Sequence, residues 1–257
     1  MIAVKNLTKI FRVGSEKVVA LNDISLQIPK GQICCIVGTS GSGKSTLLNQ
    51  LAGLEKPTKG QVFVTGKNIS ALGEGPLARF RQKNIGFVFQ SYNLMATMTA
   101  LENVSMPLIF RGMPKKKREV VAKRILKEVG LSDRAQHRPN QMSGGQQQRV
   151  GIARAFVATP KIIFADEPTG NLDTKTTIEV MRMMVRLCRE YKQTLVLVTH
   201  DGEIAEYADR IVTMRDGIIV SDVANISLAD RPEDEAKMFA EALSTPVETD
   251  EGASYEI

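Results

Sequence analysis

The chain has 257 residues, of which 43% are hydrophobic, 24% charged and 5% aromatic, and its formal net charge is +6. This composition is typical of a globular protein with one large or two small domains, and it excludes collagen and a wholly disordered chain. Neither a run of about 18 apolar residues nor a signal-peptide pattern is present, so we expect no membrane span and no secretion signal. The three cysteines lack the spacing of a zinc site or disulfide framework, which favours a reducing cytoplasm.

Up to about residue 90 the pattern predicts mainly strands. The segments are 3–7, 24–28, 33–38, 62–66 and 85–90. The run QICCIV is apolar on both faces, which indicates a central strand covered on both sides. A helix is predicted directly after it, over STLLNQLAG at 45–53, so this region forms a strand–loop–helix unit.

Between about 92 and 157 the apolar period becomes helical, with Val121, Ile125 and Val129 on one face. Within this stretch, residues 111–138 hold ten Lys or Arg against three acids. Such a basic face is typical of nucleic-acid binding, of contact with anionic lipid or simply of a solvated helix. Aromatic residues do not alternate with the basic ones, so we expect no nucleic-acid partner.

Two strongly apolar strands are predicted at 161–166 and 194–200, with a long helix near 175–191 between them. Strand–helix–strand at this spacing predicts a parallel crossover. A final pair of apolar runs flanks Asp216-Gly217, which is a strong signal for a β-hairpin.

The end of the chain, residues 228–257, carries nine acids against two basic residues. Its charge of −7 leaves +13 on the rest of the chain. The order of Pro232, three acids and then spaced apolar residues predicts one short helix in this acidic tail, followed by disorder.

The first motif with evident chemistry fits G-x-x-x-x-G-K-[ST] and lies between the predicted central strand and its helix. Its residues are Gly38, Thr39, Ser40, Gly41, Ser42, Gly43, Lys44 and Ser45. Backbone N–H groups of such a loop converge on phosphate oxygens, Lys44 can reach the β and γ phosphates, and Ser45 can ligate Mg²⁺. We predict that this loop, together with Thr46, binds ATP; a chance match occurs in roughly one chain in a hundred.

Two carboxylates, Asp166 and Glu167, follow the strand at 161–166. The carboxyl ends of parallel strands face the ligand crevice, so these acids are expected beside the phosphate loop. There Asp166 can hold the Mg²⁺ shell, and Glu167 can polarise a water for attack on the γ phosphate. The alternative is an acidic turn before Pro168.

The next strand ends at His200, a candidate contact for the γ phosphate, although a surface histidine is the alternative. A second glycine motif opens a predicted helix and forms another anion cradle; its residues are Ser143, Gly144, Gly145 and Gln146. The two cradles lie about a hundred residues apart, a separation that makes sense when one cradle completes a site on another copy.

The order of these motifs resembles the nucleotide-binding subunits of ATP-binding cassette transporters over residues 1 to about 225. The signature SGGQQQRV is close to diagnostic for them. The segments FQSYNLMATMTALENVSMPL and ADEPTGNLD are similar to those of macrolide exporters, lipoprotein-releasing complexes and antimicrobial-peptide resistance exporters. Two residues depart from the pattern, Met142 where Leu is usual and Gly151 where Ala is usual.

The resemblance implies an α/β fold with a P-loop NTPase core, a mostly parallel sheet, an N-terminal antiparallel β subdomain and an inserted α-helical subdomain. We assign 1–91 and 158–227 to the core with its β subdomain, and 92–157 to the helical signature subdomain. Residues 228–257 form the acidic tail.

The resemblance also implies roles for individual residues. Gln90 would contact Mg²⁺ and the attacking water, and Asp173 would lie at a dimer seam. Ser143 and Gly145 would contact the γ phosphate held by a partner copy. Phe11 would stack on adenine, with Phe in place of the usual Tyr, because stacking needs only the ring face.

In this family two cassettes close on two ATP molecules and drive a separate integral membrane permease. The resemblance therefore implies an ATPase that forms a homodimer, lies at the cytoplasmic face of the membrane and powers export. The Met-rich stretch that includes Met95, Met98, Met106 and Met113 lies where the family docks its permease. A cell-division cassette that acts through a permease-like partner without moving cargo is the alternative.

Overall fold

The computed structural model describes residues 1–230, in which ten strands form two sheets and seven α-helices pack around them. The strands are β1 (Ile2–Val13), β2 (Glu16–Ile28), β3 (Ile33–Val37), β4 (Lys59–Val64), β5 (Lys67–Asn68), β6 (Ile85–Val88), β7 (Ile162–Asp166), β8 (Thr194–Thr199), β9 (Arg210–Arg215) and β10 (Ile218–Ala224). The helices are α1 (Lys44–Leu51), α2 (Glu74–Asn84), α3 (Ala100–Phe110), α4 (Lys115–Glu128), α5 (Gly144–Phe156), α6 (Thr174–Glu190) and α7 (Gly202–Ala205). Three 3₁₀ turns cover Ser132–Arg134, Pro139–Gln141 and Leu228–Asp230.

The larger sheet has the order β10-β9-β3-β8-β7-β6, and only the β9–β10 hairpin in it is antiparallel. Side chains alternate along its central strands between two apolar cores. In β3, for example, Cys35 packs into the core shared with the helices, whereas Cys34 and Ile36 pack into the core beneath the other sheet. Burial on both faces explains why these strands are continuous apolar runs, and it confirms the predicted mostly parallel sheet.

The smaller sheet, β2-β1-β4-β5, is wholly antiparallel and confirms the predicted N-terminal β subdomain. β1 and β2 form one long hairpin in which Ile2 pairs with Ile28 and Val13 pairs with Glu16. The predicted segments covered only its inner end. The outer half carries exposed side chains such as Val18 and Val19 and has little apolar alternation, so periodicity could not indicate it.

Helix α2 lies between the strand segments predicted at 62–66 and 85–90, where no helix was predicted. Its buried stripe consists of Leu77, Phe80 and Asn84 alone, which is too few apolar residues for a helical period to be recognised. Helix α3 continues through Pro107, whose position in the helix interior does not end it.

Residues 92–157 contain α3, α4, α5 and two 3₁₀ turns, as the helical period predicted. The buried side chains of these helices continue into the sheet, since Val104, Leu126 and Ile152 belong to the same core as Ile163 and Leu195. The proposed boundaries of the helical subdomain stay a prediction.

The short helix expected after Pro232 lies outside the described residues. Within residues 1–230, the helices are all too short or too polar to cross a membrane.

Two glycines, one in α5 and one in β6, should respond in opposite ways to alanine. A Cβ on Gly151 in α5 would meet its nearest atoms at 3.7 Å, so Gly151→Ala should raise the free energy of unfolding by up to about 1 kcal/mol through helix propensity. A Cβ on Gly86 in β6 would lie 2.3 Å from the carbonyl oxygen of Ala155. Gly86→Ala should therefore lower the free energy of unfolding by about 1–3 kcal/mol or more. Urea unfolding of both variants measures the two signs, and equal shifts would contradict the packing described here.

Candidate functional site

The phosphate loop follows β3 and is held between the two sheets. Gly41 and Gly43 have φ angles of +79° and +97°, which favour glycine. A Cβ on Gly43 would lie 2.5 Å from the carbonyl oxygen of Ala20 in β2, and one on Gly38 would lie 2.3 Å from that of Met214 in β9. The loop therefore needs these glycines both for its turns and for its close approach to neighbouring strands.

Helix α1 begins at Lys44 after Gly43, which supplies no side-chain cap. The N–H groups of the first turn thus have no side-chain acceptor, which is the arrangement that binds anions. Lys44 is buried, and its Nζ donates to the carbonyl oxygens of Gly38 and Thr39 at 2.7 and 2.8 Å. Its ammonium group is therefore held over the loop by bonds that a phosphate oxygen can replace.

The other predicted loop residues differ in exposure. Thr39, Ser40 and Gly41 are exposed and Thr46 is half-buried. Ser42 is buried, and its Oγ has no hydrogen-bond partner in the part of the chain that the structure describes.

Asp166, the last residue of β7, meets the start of α1. Ser45 Oγ donates to Asp166 Oδ1 at 3.0 Å. Burial raises the pKa of the Asp166 carboxyl; the hydrogen bond from Ser45 lowers it, and the charge of Glu167 raises it. A hydroxyl and a carboxylate oxygen side by side are hard donors of the kind Mg²⁺ takes, so this pair fits the cation.

Glu167 lies one residue beyond β7 with φ +42°, in the left-handed region. Its N–H donates to the carbonyl oxygen of Val198 at 3.0 Å, which fixes the residue against β8. Its Oε1 lies 3.0 Å from His200 Nδ1. The side chain of His200 is 63% exposed, and that of Glu167 is 23% exposed. The structure thus brings together the predicted carboxylate and histidine, with the pair open to solvent.

Gln90, two residues after β6, lies beside the segment that follows Glu167. Its backbone oxygen accepts a bond from Asn171 Nδ2 at 3.1 Å. Its Nε2 is so close to Gly170 that a Cβ there would approach to 2.9 Å. The predicted glutamine and the predicted carboxylate therefore belong to one packed group of loops.

The signature motif opens helix α5. Ser143 is its N-cap: Ser143 Oγ accepts from the N–H of Gln146 at 3.3 Å, and Gln146 Oε1 accepts from the N–H of Ser143 at 3.0 Å. A Cβ on Gly144 would lie 2.8 Å from Tyr92 Oη, and one on Gly145 would lie 2.6 Å from a methyl carbon of Thr176. The two glycines therefore allow the signature to pack against its neighbours.

Asp173 is the N-cap of helix α6. It accepts bonds from the N–H and Oγ1 of Thr176 at 2.9 and 2.7 Å, and these bonds lower the pKa of its carboxyl. Thr176 also contacts Gly145, so the starts of α5 and α6 lie together. Among residues 1–230, no hydrogen bond joins this pair of helix starts to the phosphate loop.

Phe11 is half-buried on β1, where Lys9 Nζ lies 4.9 Å from its ring centroid. It pairs with Val18 on the hairpin whose Ala20 packs against the phosphate loop. The structure places the aromatic ring on this hairpin, and its contact with adenine stays a prediction.

One residue of the site escaped sequence reasoning. Gln148 is fully buried, and its Nε2 donates to the carbonyl oxygen of Pro168. The signal was available, because Gln148 lies at helical spacing from Ile152 and Ala155, both buried. A polar side chain on the apolar face of a helix indicates a specific hydrogen-bond partner.

Comparison with known proteins agrees with this geometry. Residues 21–170 match the family model for ABC transporters. An uncharacterized ABC transporter ATP-binding protein of Thermotoga maritima is 52% identical over 211 residues, which cover 82% of this chain and 90% of that protein. The macrolide export ATP-binding/permease protein MacB of Chlorobaculum tepidum is 49% identical over 222 residues, which cover 86% of this chain and 34% of that protein.

Among solved structures, a dimeric post-hydrolysis state of the ATP-binding cassette MJ0796 bound to ADP and Pi is similar, with a TM-score of 0.82 and 42% identity. The match covers 88% of this chain and 100% of that one. The chain belongs to the ABC transporter family and has the fold of an ATP-binding cassette, as its motifs predicted. It spans about a third of the length of the MacB proteins it matches.

The raised pKa of Asp166 predicts a pH dependence of stability. Because the folded state binds this proton more tightly than the unfolded chain, the stability that the residue contributes is lost as pH rises from about 4 through the folded-state pKa. Asp166→Asn should therefore be more stable than the wild type at pH 7, and its advantage should shrink towards pH 4.

Asp173→Asn is the matched control of opposite sign, because the pKa of Asp173 is lowered. Its stability should fall below that of the wild type at pH 7 and approach it in acid. Urea unfolding across this range measures both trends. An Asp166→Asn variant less stable than the wild type at pH 7 would contradict the effect of burial.

Proposed function

We propose that this chain binds Mg-ATP and hydrolyses it as the cassette subunit of an ABC exporter, closing as a homodimer and driving a membrane permease. The observation that carries the proposal is the contact between Glu167 and His200 beside the Ser45–Asp166 pair, all at the edge where the phosphate loop lies. The phosphate loop can position phosphate, the Ser45–Asp166 pair fits a cation, and Glu167 can accept a proton from water.

Binding begins at the loop. N–H groups at the start of α1 donate to phosphate oxygens, and Lys44 exchanges its two carbonyl acceptors for the β and γ phosphates. Ser45 and Asp166 would hold Mg²⁺, with Gln90 as a third candidate from the resemblance. The bound cation would neutralise charge on the phosphates. The ring of Phe11 offers a face for adenine.

Hydrolysis then depends on Glu167. Its carboxylate accepts a proton from the attacking water, while the Nδ1–H of His200 donates to it and fixes its orientation. This bond leaves Nε2 of His200 unoccupied, and Nε2 can donate to a γ-phosphate oxygen when the ring is in its imidazolium form. The exposure of the pair means that water is excluded only when another surface covers it.

In our proposal, a second copy of the chain supplies the surface that covers Glu167 and His200. The signature residues Ser143, Gly145 and Gln146 line a cleft of about 250 Å³ that also includes Thr176. This cleft is separate from the phosphate loop of the same copy, and its N–H groups at the start of α5 suit a γ phosphate held by a partner. The dimeric state of the similar MJ0796 cassette supports this arrangement.

The permease would dock on a groove of about 660 Å³ between the sheet edge and α3. The groove is largely apolar, and its lining includes Phe87, Phe89, Met106 and Phe110. Of the four methionines singled out in the sequence, only Met106 lines this groove. The relatives named ATP-binding/permease proteins support a membrane partner, and such a partner would hold the chain at the cytoplasmic face of the membrane.

Replacing the proposed base separates binding from turnover. Glu167→Gln should lower ATP turnover by about a hundredfold or more, keep Mg-ATP binding and accumulate as a dimer. Turnover by phosphate release and mass by light scattering measure this. Glu203→Gln, the same change in the same cleft, should keep turnover, and Lys44→Ala should lose nucleotide binding. A monomeric Glu167→Gln at saturating Mg-ATP would refute the proposal.

The groove can be tested with the permease present. Phe110 is 68% exposed, and Phe110→Ser should reduce co-purification with the permease and the stimulation of ATP turnover that the permease causes. Val120, which is 69% exposed on α4 and outside the groove, is the matched control. Equal loss in Phe110→Ser and Val120→Ser would count against docking at the groove.

A further inference from the structure

Gln148 contacts two loops that the proposed reaction uses, although it lies on neither. It is the fifth residue after Ser143, in the rigid helix that the signature opens, and it is fully buried. Its Nε2 donates to the carbonyl oxygen of Pro168, the residue after Glu167. The same nitrogen lies 3.4 Å from the carbonyl oxygen of Phe89, the residue before Gln90. One amide therefore joins the signature helix to the backbone beside both groups.

Only the donor half of the Gln148 amide is paired. Gln148 Oε1 is buried and accepts no hydrogen bond from residues 1–230. It lies 3.7 Å from where a Cβ on Gly151 would be. Burying the unpaired Oε1 costs free energy, and an apolar side chain of the same length would avoid that cost but would leave the carbonyl oxygen of Pro168 without this donor.

We infer that Gln148 is a positioning residue, which couples the arrangement of the signature to the orientation of Glu167 and Gln90. The inference rests on the proposed function. When Ser143 engages a partner's phosphate, α5 moves as one body because its backbone bonds are continuous. The amide then carries the carbonyl groups of Pro168 and Phe89 with it. ATP bound by one copy thereby sets the catalytic groups of the other.

The chain contains a matched control in Gln193. This side chain is also buried, its Nε2 donates to the carbonyl oxygen of Pro160 at 2.7 Å, and its Oε1 has no partner within residues 1–230. Gln193 directly precedes β8 and so lies at the amino ends of the parallel strands, whereas Glu167 lies at their carboxyl ends. Replacing Gln193 therefore removes a buried amide with the same kind of hydrogen bond, at a position away from the proposed nucleotide site.

The experiment compares Gln148→Met with Gln193→Met in the full chain, because Met keeps the length of the side chain and removes the donor. We expect Gln148→Met to lower kcat at least tenfold, with the Kd for Mg-ATP within twofold of the wild type. Gln193→Met should leave kcat within twofold. Equal losses of kcat in the two variants, or a Gln148→Met whose defect lies in Kd, would overturn the inference.

A second variant protects the test if Gln148→Met fails to fold. Gln148→Glu can donate to Pro168 only when its carboxyl is protonated, so its kcat relative to the wild type should rise as pH falls from 8.5 to 5.5. A ratio that does not change with pH would overturn the inference. A wild-type chain without Mg-ATP turnover would instead refute the proposed function, so the two failures are distinguishable.

Discussion

The alignment of parallel strands is the constraint on which the rest of the site depends. β3, β7 and β8 are neighbours in register, so Val37, Asp166 and Thr199 end at one edge of the sheet. Everything that follows these residues converges there: the phosphate loop, the Glu167 carboxylate and His200. The apolar cores on both faces of these strands keep the three ends together, and this holds side chains from distant parts of the sequence within hydrogen-bond distance.

A second organising feature is the pairing of two helix starts away from that edge. Ser143 and Asp173 cap α5 and α6, and Thr176 lies between them through its bonds to Asp173 and its contact with Gly145. The start of the signature helix is therefore in direct contact with the start of α6. Together with the amide of Gln148, this packing gives a physical route between a surface that faces outward and a carboxylate at the sheet edge.

Two residues of the proposed site are held in states that cost free energy. Glu167 has a left-handed φ, a conformation that costs free energy in a residue other than glycine, and the raised pKa of Asp166 reflects a carboxyl that burial disfavours when ionised. The surrounding strands are fully buried and tolerate these costs. The open cleft near Glu167 and His200 fits a site that is completed by a second copy.

Motifs whose chemistry is local could be predicted from the sequence alone. The phosphate loop, the carboxylates after β7, the signature turn and the β9–β10 hairpin each need particular residue types at fixed spacing, so the printed order of residues indicates them. Tertiary structure decided what depends on contacts between distant residues. It placed Glu167 against His200, gave α2 its helical form despite a stripe of only three buried residues, and directed the amide of Gln148 to two loops. The sequence could not show these contacts, because they arise only when strands far apart in the chain pair side by side.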